Sequence, residues 1–371
     1  MSRWLIIGTC VWMVVLGGAG LFMVTGWEGR SAVASTAVAT ATQTNVAKPQ
    51  SQVRQAQATQ QAYPGWLNIP VGCTIGRDCW VLQQFDHDPG PDFKDYACGA
   101  RAYNAHKGVD FGLATDSDMR RNVPVLAAAA GRVLRLRDGE TDGVAVTKGV
   151  DAIPKGKECG NAVILEHGGG WETIYCHMAR GSVAVKQGQT LAAGQQLGAI
   201  GMSGKAEFAQ LHLGVRYKNN PYDPFLPGGL KPGVCGSAGS LWTPAAAAAL
   251  RYSPLDMVAV GISDTRPNVA GVNNGQFNSF TRRDADALFG WVLAWNTKAG
   301  DLLRVDIQGP SGKTLLSTTQ KLDRGYRRHF RFAGKKKSGA WRSGSYTVTA
   351  TIQRSGRTPV TRQMSRTVKL R

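Results

Sequence analysis

The sequence predicts a mainly β protein with two folded domains behind an apolar amino-terminal segment. Three observations carry that prediction. Apolar side chains recur at every second position in short runs such as Asn161 to His167, Gln210 to Val215, Leu303 to Ile307 and Tyr346 to Ile352, the period of a strand with one face buried. Glycine and proline signals such as Gly309-Pro310-Ser311-Gly312 separate the runs, as turn chemistry requires. An uncharged stretch of 24 residues, Trp4 to Trp27, precedes them all; as a helix it would span about 36 Å, enough to cross a bilayer.

Residues 1–30 therefore read as a membrane anchor or signal sequence. The run is longer than the roughly 7–15 apolar residues of a cleavable signal, which favours an uncleaved anchor over cleavage near Ala32-Val33-Ala34. Arg3 lies before the run, while Glu28 and Arg30 offset one another after it, so the positive side stays cytoplasmic. The expected body is periplasmic or extracytoplasmic, anchored in the inner membrane through residues 4–27, or secreted if that segment is removed. Residues 31–62 are rich in Ala, Thr, Gln and Ser, with no aromatic side chain before Tyr63. They read as a flexible tether, because they offer too little apolar surface to offset the entropy of ordering.

Residues 63–228 bring aromatics, cysteines and many glycines, the composition of a turn-rich β domain. Residues 229–253 contain Pro232, Pro244 and the run Ala245 to Ala249, a connector with a helical turn or two. Residues 254–371 alternate again, and short strands over that length predict an immunoglobulin-like β-sandwich. With Cys10 inside the apolar run, six cysteines remain, Cys73, Cys79, Cys98, Cys159, Cys176 and Cys235. An even number in an exported domain predicts disulfides; Cys73 with Cys79 would close a short loop, and the other pairings stay open. Of the net charge of +19, +15 falls in residues 251–371, where 22 Lys and Arg face 7 Asp and Glu. That field suits anionic envelope polymers or lipid head groups, and export argues against nucleic acid.

The chemistry concentrates in four short segments, His106-Lys107-Gly108-Val109-Asp110, Tyr175-Cys176-His177-Met178, Ser203-Gly204 and Gln210-Leu211-His212-Leu213. A His and an Asp four apart with a distant His make a three-ligand set that leaves a fourth tetrahedral position open, the arrangement of catalytic zinc. Strand alternation puts Gln210 and His212 on one face with Leu211 and Leu213 on the other, and groups Thr173, Tyr175 and His177 on one face with Ile174 and Cys176 opposite. Cys176 and His177, neighbours pointing apart, do not make a Cys-His nucleophile pair. The acidic stretch Asp86-His87-Asp88 with Asp92 reads as a surface loop, with a second cation or a cleft wall as its other readings. His167 reads as structural or site-adjacent, and His329, among Arg327, Arg328 and Arg331, as solvated.

In this order, together with Gly160-Asn161-Ala162-Val163-Ile164-Leu165-Glu166-His167 and Gly201-Met202-Ser203-Gly204, the segments resemble the lysostaphin-type (LytM-like) zinc metalloendopeptidases of peptidoglycan, over roughly Trp80 to Pro227. The resemblance implies zinc as cofactor, His106, Asp110 and His212 as its ligands, and His177 as a second-sphere catalytic histidine. The expected reaction is hydrolysis of a peptide bond in a peptidoglycan stem peptide or cross-bridge. The chain departs from the family at Gln210, where the final His-x-His motif has a histidine expected to act as general base. An amide cannot accept a proton at neutral pH, and a positioned general base contributes about 10²–10⁴ in rate. Three outcomes stay open: Gln210 positions water while His177 moves protons, Glu207 substitutes as base, or the domain binds zinc and wall peptides or regulates another hydrolase without cutting.

Overall fold

The computed structural model describes residues 65–228, 235–236 and 239–371. The anchor and tether expected over 1–62 lie outside them; among the described residues no helix is long and apolar enough to cross a membrane. Ten strands build the first half: β1 (Cys79–Gln83), β2 (Val109–Leu113), β3 (Pro124–Leu126), β4 (Gly131–Arg137), β5 (Asn161–Glu166), β6 (Trp171–Met178), β7 (Thr190–Leu191), β8 (Gln196–Ala199), β9 (Gln210–Tyr217) and β10 (Asn220–Tyr222). Eight of them form one antiparallel sheet in the order β1-β2-β9-β6-β5-β4-β7, with β10 on β9, while β3 and β8 pair separately.

The alternation predicted for β9 holds. Leu211, Leu213 and Val215 are fully buried with Val109 and Phe111 of β2 and Val163 and Leu165 of β5, which leaves the opposite face of the sheet to the polar residues. All six cysteines of this half are paired, Cys73–Cys79, Cys98–Cys235 and Cys159–Cys176. The predicted helical turn of the connector is Pro244–Ala249, capped by the Thr243 hydroxyl, which accepts from the Ala246 amide at 3.4 Å.

Seven more strands follow: β11 (Asp256–Ser263), β12 (Ala287–Thr297), β13 (Leu302–Gln308), β14 (Thr314–Lys321), β15 (Tyr326–Lys336), β16 (Gly344–Arg354) and β17 (Val360–Leu370). They form a three-stranded sheet, β11-β12-β15, and a four-stranded sheet, β14-β13-β16-β17. Ile262, Leu288 and Val292 of the first share a core with Val305, Val348 and Ile352 of the second, so burial of the alternating apolar residues holds the two sheets together.

The two halves are not independent beads. The described residues all belong to one compact unit, and Trp80 and Leu82 of β1 share a buried cluster with Val258, Trp291, Leu293 and Trp295 of β11 and β12. Arg101, 3% exposed, donates across the junction to the Asp256 carboxylate and the Ser253 carbonyl, and within its own half to the Val81 carbonyl.

Candidate active site

Adjacent strands bring the predicted trio together. Asp110 on β2 and His212 on β9 are direct cross-strand partners, and His106 stands four residues before Asp110. His106 Nε2 lies 3.2 Å from Asp110 Oδ1 and 3.1 Å from His212 Nδ1, and His212 Nδ1 lies 2.8 Å from Asp110 Oδ1. Among the described residues this is the group of three side chains that offers converging metal-ligand atoms. His106 Nδ1–H donates to the Gln84 carbonyl at 2.6 Å, which fixes the tautomer and leaves the Nε2 lone pair available to a metal. Two imidazoles and a carboxylate suit zinc, and a tetrahedral site with bonds of about 2.0–2.2 Å has edges of roughly 3.3–3.6 Å, a length the three separations approach. The residues fit the metal that the resemblance implies.

Charge balance agrees with the geometry. Burial raises the Asp110 carboxyl, but the two imidazoles outweigh it and hold the group well below the usual carboxylate range. Burial lowers His106, yet Asp110 and the Gln84 carbonyl leave it raised overall. Gly108, inside the His-Lys-Gly-Val-Asp segment, is required by space: a Cβ there would stand 2.5 Å from two atoms of the His212 ring and 2.6 Å from the Leu213 carbonyl oxygen.

The face assignment for β6 needs correction. Thr173 and Tyr175 do not look into the cleft. Both are fully buried on the core side, where the Tyr175 hydroxyl accepts from the Ala128 amide and from Thr173 Oγ1. It is Cys176, the residue opposite His212, that shares the site face and pairs with Cys159. Simple alternation would then send His177 into the interior. Its backbone instead enters the left-handed region at φ 64°, a conformation costly for a residue with a Cβ, and the ring comes to 6.0 Å from that of His212.

What holds His177 there was not assigned from sequence. Its amide donates to the Cys159 carbonyl at 2.8 Å, its carbonyl accepts from Gly201 at 3.0 Å and its Nδ1–H donates to the Ser203 carbonyl at 2.8 Å. Ser203 Oγ in turn donates to the Met178 carbonyl and accepts the Asn161 amide. Gly160, at φ 62°, lets these segments touch, because a Cβ would meet Ser203 at 2.4 Å. The Gly160-Asn161 and Met202-Ser203-Gly204 segments are thus the frame of His177, a role that alternation and spacing alone do not signal. Burial, followed by repulsion from His212, lowers the His177 pKa to about 4, so the ring is neutral at pH 7 with Nε2 as a proton acceptor.

Gln210 opens β9 on the same face as His212 and is 4% exposed. Its Oε1 is buried without a hydrogen-bond partner, a cost of about 1–3 kcal/mol unless a ligand or water satisfies it. Glu207 is exposed and makes no described contact with His177 or His212. Asp86 is no cation site: it is fully buried, and its oxygens accept the amides of Asp88, Lys94 and Ala105 at 2.8–3.0 Å, tying down the loop before His106. His87 Nε2 contacts Asp223 at 2.7 Å. His167 is structural, bonded to the Ala130 carbonyl and Thr173 Oγ1. His329 is half-buried, not solvated, and burial lowers its pKa.

Residues 104–224 match the model of peptidase family M23. A 73-residue stretch is 40% identical to the cell division protein DipM of Caulobacter vibrioides, covering 18% of this chain and 12% of that protein, so the chain spans only a small part of that relative. Among solved structures, the catalytic domain of lysostaphin from Staphylococcus simulans matches at 20% identity over 38% of this chain and 85% of that one, with a TM-score of 0.26. Csd3 of Helicobacter pylori matches at 20% identity over 43% and 32%, with a TM-score of 0.28. Superpositions that weak carry no argument, and the assignment rests on the sequence match together with the His106, Asp110 and His212 trio. Residues 104–224 thus carry the match to peptidase family M23, and the His106, Asp110 and His212 trio lies within them.

Proposed function

We propose that this chain is a zinc-dependent endopeptidase that hydrolyses a peptide bond in peptidoglycan stem peptides or cross-bridges. The convergence of His106 Nε2, Asp110 Oδ1 and His212 Nδ1 within 2.8–3.2 Å carries the reading. Zinc held by these atoms supplies Lewis acidity toward a scissile carbonyl and lowers the pKa of water toward about 7. The protein's own groups divide the remaining work. His177 Nε2 accepts a proton from the attacking water and returns it to the leaving amine, while Ser203 holds the ring through Nδ1. Gln210 Oε1 accepts a hydrogen bond from water or from a substrate N–H without taking the proton. Fixed acceptors of this kind orient reactants, and orientation alone accounts for a large share of rate.

The same Gln210 favours a second reading, a zinc-binding module that holds wall peptides or regulates another hydrolase, because a neutral amide replaces the expected general base. Release of muropeptides from purified sacculi by the zinc-loaded chain separates the two. Activity abolished in His177→Ala supports the enzyme. No release from the parent, with release from Gln210→His, supports the binding module; a gain of about 10²–10⁴ in Gln210→His over a slow parent would size the missing base.

Export through residues 4–27 and a periplasmic or extracytoplasmic site remain part of this reading, and the domain boundaries at 63–228, 229–253 and 254–371 are its working division. The basic second half, net +15 over residues 251–371, would hold the catalytic half near anionic envelope polymers. Sacculus binding that weakens steeply between low and physiological salt supports this attraction, because exposed charge is screened; salt-independent binding contradicts it.

A further inference from the structure

The second half of the chain does more than pack against the peptidase sheet: it places a cation over Tyr103, the ring that stacks on His106. The Tyr103 ring stacks on His106 with centroids 4.3 Å apart and planes 25° from parallel. The guanidinium of Arg327, from β15, lies over that tyrosine at 5.4 Å from its centroid. Together the two steps correspond to at most about three residues of extended peptide at 3.3–3.6 Å each. Arg327 is exposed, and no hydrogen bond or ion pair to it occurs among the described residues. It also borders a cavity of about 390 Å³ at the junction of the two halves, with Phe93, Tyr252, Pro254, Lys298 and Tyr326 in its wall.

The backbone at Arg327 is tied to the peptidase half. Arg327 follows Tyr326, the register partner of Thr297 on β12, and that end of β12 is fixed to the peptidase sheet. Trp295 packs edge-on against Phe208 at 4.7 Å, in the loop before β9, and Asn296 Nδ2 donates to the Leu82 carbonyl at 3.5 Å. A guanidinium with free donors, propped on an aromatic face at a fixed distance from a hydrolytic site, is suited to an anionic planar group such as a carboxylate.

We propose that Arg327 is a specificity-determining residue that binds a free carboxylate of the peptide, close along the chain to the scissile bond, with the junction cavity taking the adjoining residue. The inference rests on the peptide-binding reading above. It gives the second half a part in substrate choice, beyond attraction to a polymer.

The test is calorimetric titration of the full zinc-loaded chain with two soluble probes, acetyl-Lys-D-Ala-D-Ala carrying a free terminal carboxylate and the same peptide as its carboxamide. The parent is expected to prefer the carboxylate about tenfold at low salt, the lower range for a charge-assisted hydrogen bond at an exposed site. In Arg327→Gln the preference falls to near unity with carboxamide affinity unchanged, and Arg327→Lys keeps part of it. Arg327→Gln discriminating as the parent does, or loss of discrimination in Lys298→Gln alone, overturns the assignment while peptide binding itself stands. Binding of neither probe by a parent that holds zinc overturns the assignment and the peptide-binding reading together.

Discussion

His177 shows how much a single backbone torsion decides. Its left-handed φ, its bond to the Ser203 carbonyl and its burial together give a neutral imidazole beside the candidate ligand His212. A folded pKa of about 4 against an ordinary 6.5 means that the unfolded chain binds the extra proton first. Stability from this group is therefore complete above pH 6.5 and is lost as pH falls toward 4. The thermal midpoint of the metal-free chain is expected to drop across that window, and His177→Gln, which keeps a donor for Ser203 without the titration, should show a shallower slope; equal slopes would contradict the assignment. His106 works in the opposite sense. Its raised pKa in the metal-free protein means that a proton competes with zinc, so zinc affinity should fall, with proton uptake into the free protein, as buffers are made more acidic than neutrality. Competition titrations with a chromogenic chelator at several pH values would measure it.

At the scale of elements, β2 and β9 are positioned by what a glycine leaves out. Gly108 lets the His212 ring lie against the backbone before β2, and Gly108→Ala would force the ring or the strand to move. Expected is a loss of about 10–100-fold in zinc affinity, the range for disturbed support of a ligand, with the chain still folded by circular dichroism. β6 is held from the side by Cys159–Cys176, which joins residues 17 positions apart and places the Cys159 carbonyl under the His177 amide. Replacing both cysteines by serine should cost roughly 3 kcal/mol by loop entropy. The same double variant should lower activity or peptide affinity further than its stability loss explains, because the frame of His177 loosens; urea unfolding and peptide titration on the same preparation separate the two effects.

Across the whole molecule the two halves share one buried cluster, and Trp80 and Leu82 of the peptidase sheet depend on Val258, Trp291 and Trp295 for cover. Removal of residues 251–371 is thus not a neutral truncation: it would expose those side chains and strip Arg101 of Asp256 and Ser253. Arg101→Ala should cost about 3–5 kcal/mol, because the Asp256 charge would be left buried without its cation, whereas Arg282→Ala at the exposed pair with Asp284 should leave stability close to that of the parent. Denaturant melts of the two variants make the comparison. The placement of Arg327 over Tyr103 depends on the same junction, so Arg101→Ala should also weaken any selectivity for a peptide carboxylate.

Read by itself, the sequence determined the local facts. Period-2 alternation marked β5, β9, β13 and β16, because each buries one face and strand side chains repeat every two residues. The identity and spacing of His106, Asp110 and His212 marked the candidate metal set that the fold brings together, because few side chains ligate zinc. The loop closed by Cys73–Cys79 followed from short separation. Tertiary structure decided what alternation cannot encode. Frame bonds from Cys159, Gly201 and Ser203 turn His177 out of the strand period, and core packing draws Thr173 and Tyr175 inward. The acidic stretch is a surface loop as read, exposed over residues 89–92, but its first residue, Asp86, is buried and accepts three amides that tie the loop down. The junction that carries Arg327 to Tyr103 joins residues more than two hundred positions apart, and contacts of that range are fixed by shared burial, on which neither period nor motif spacing bears.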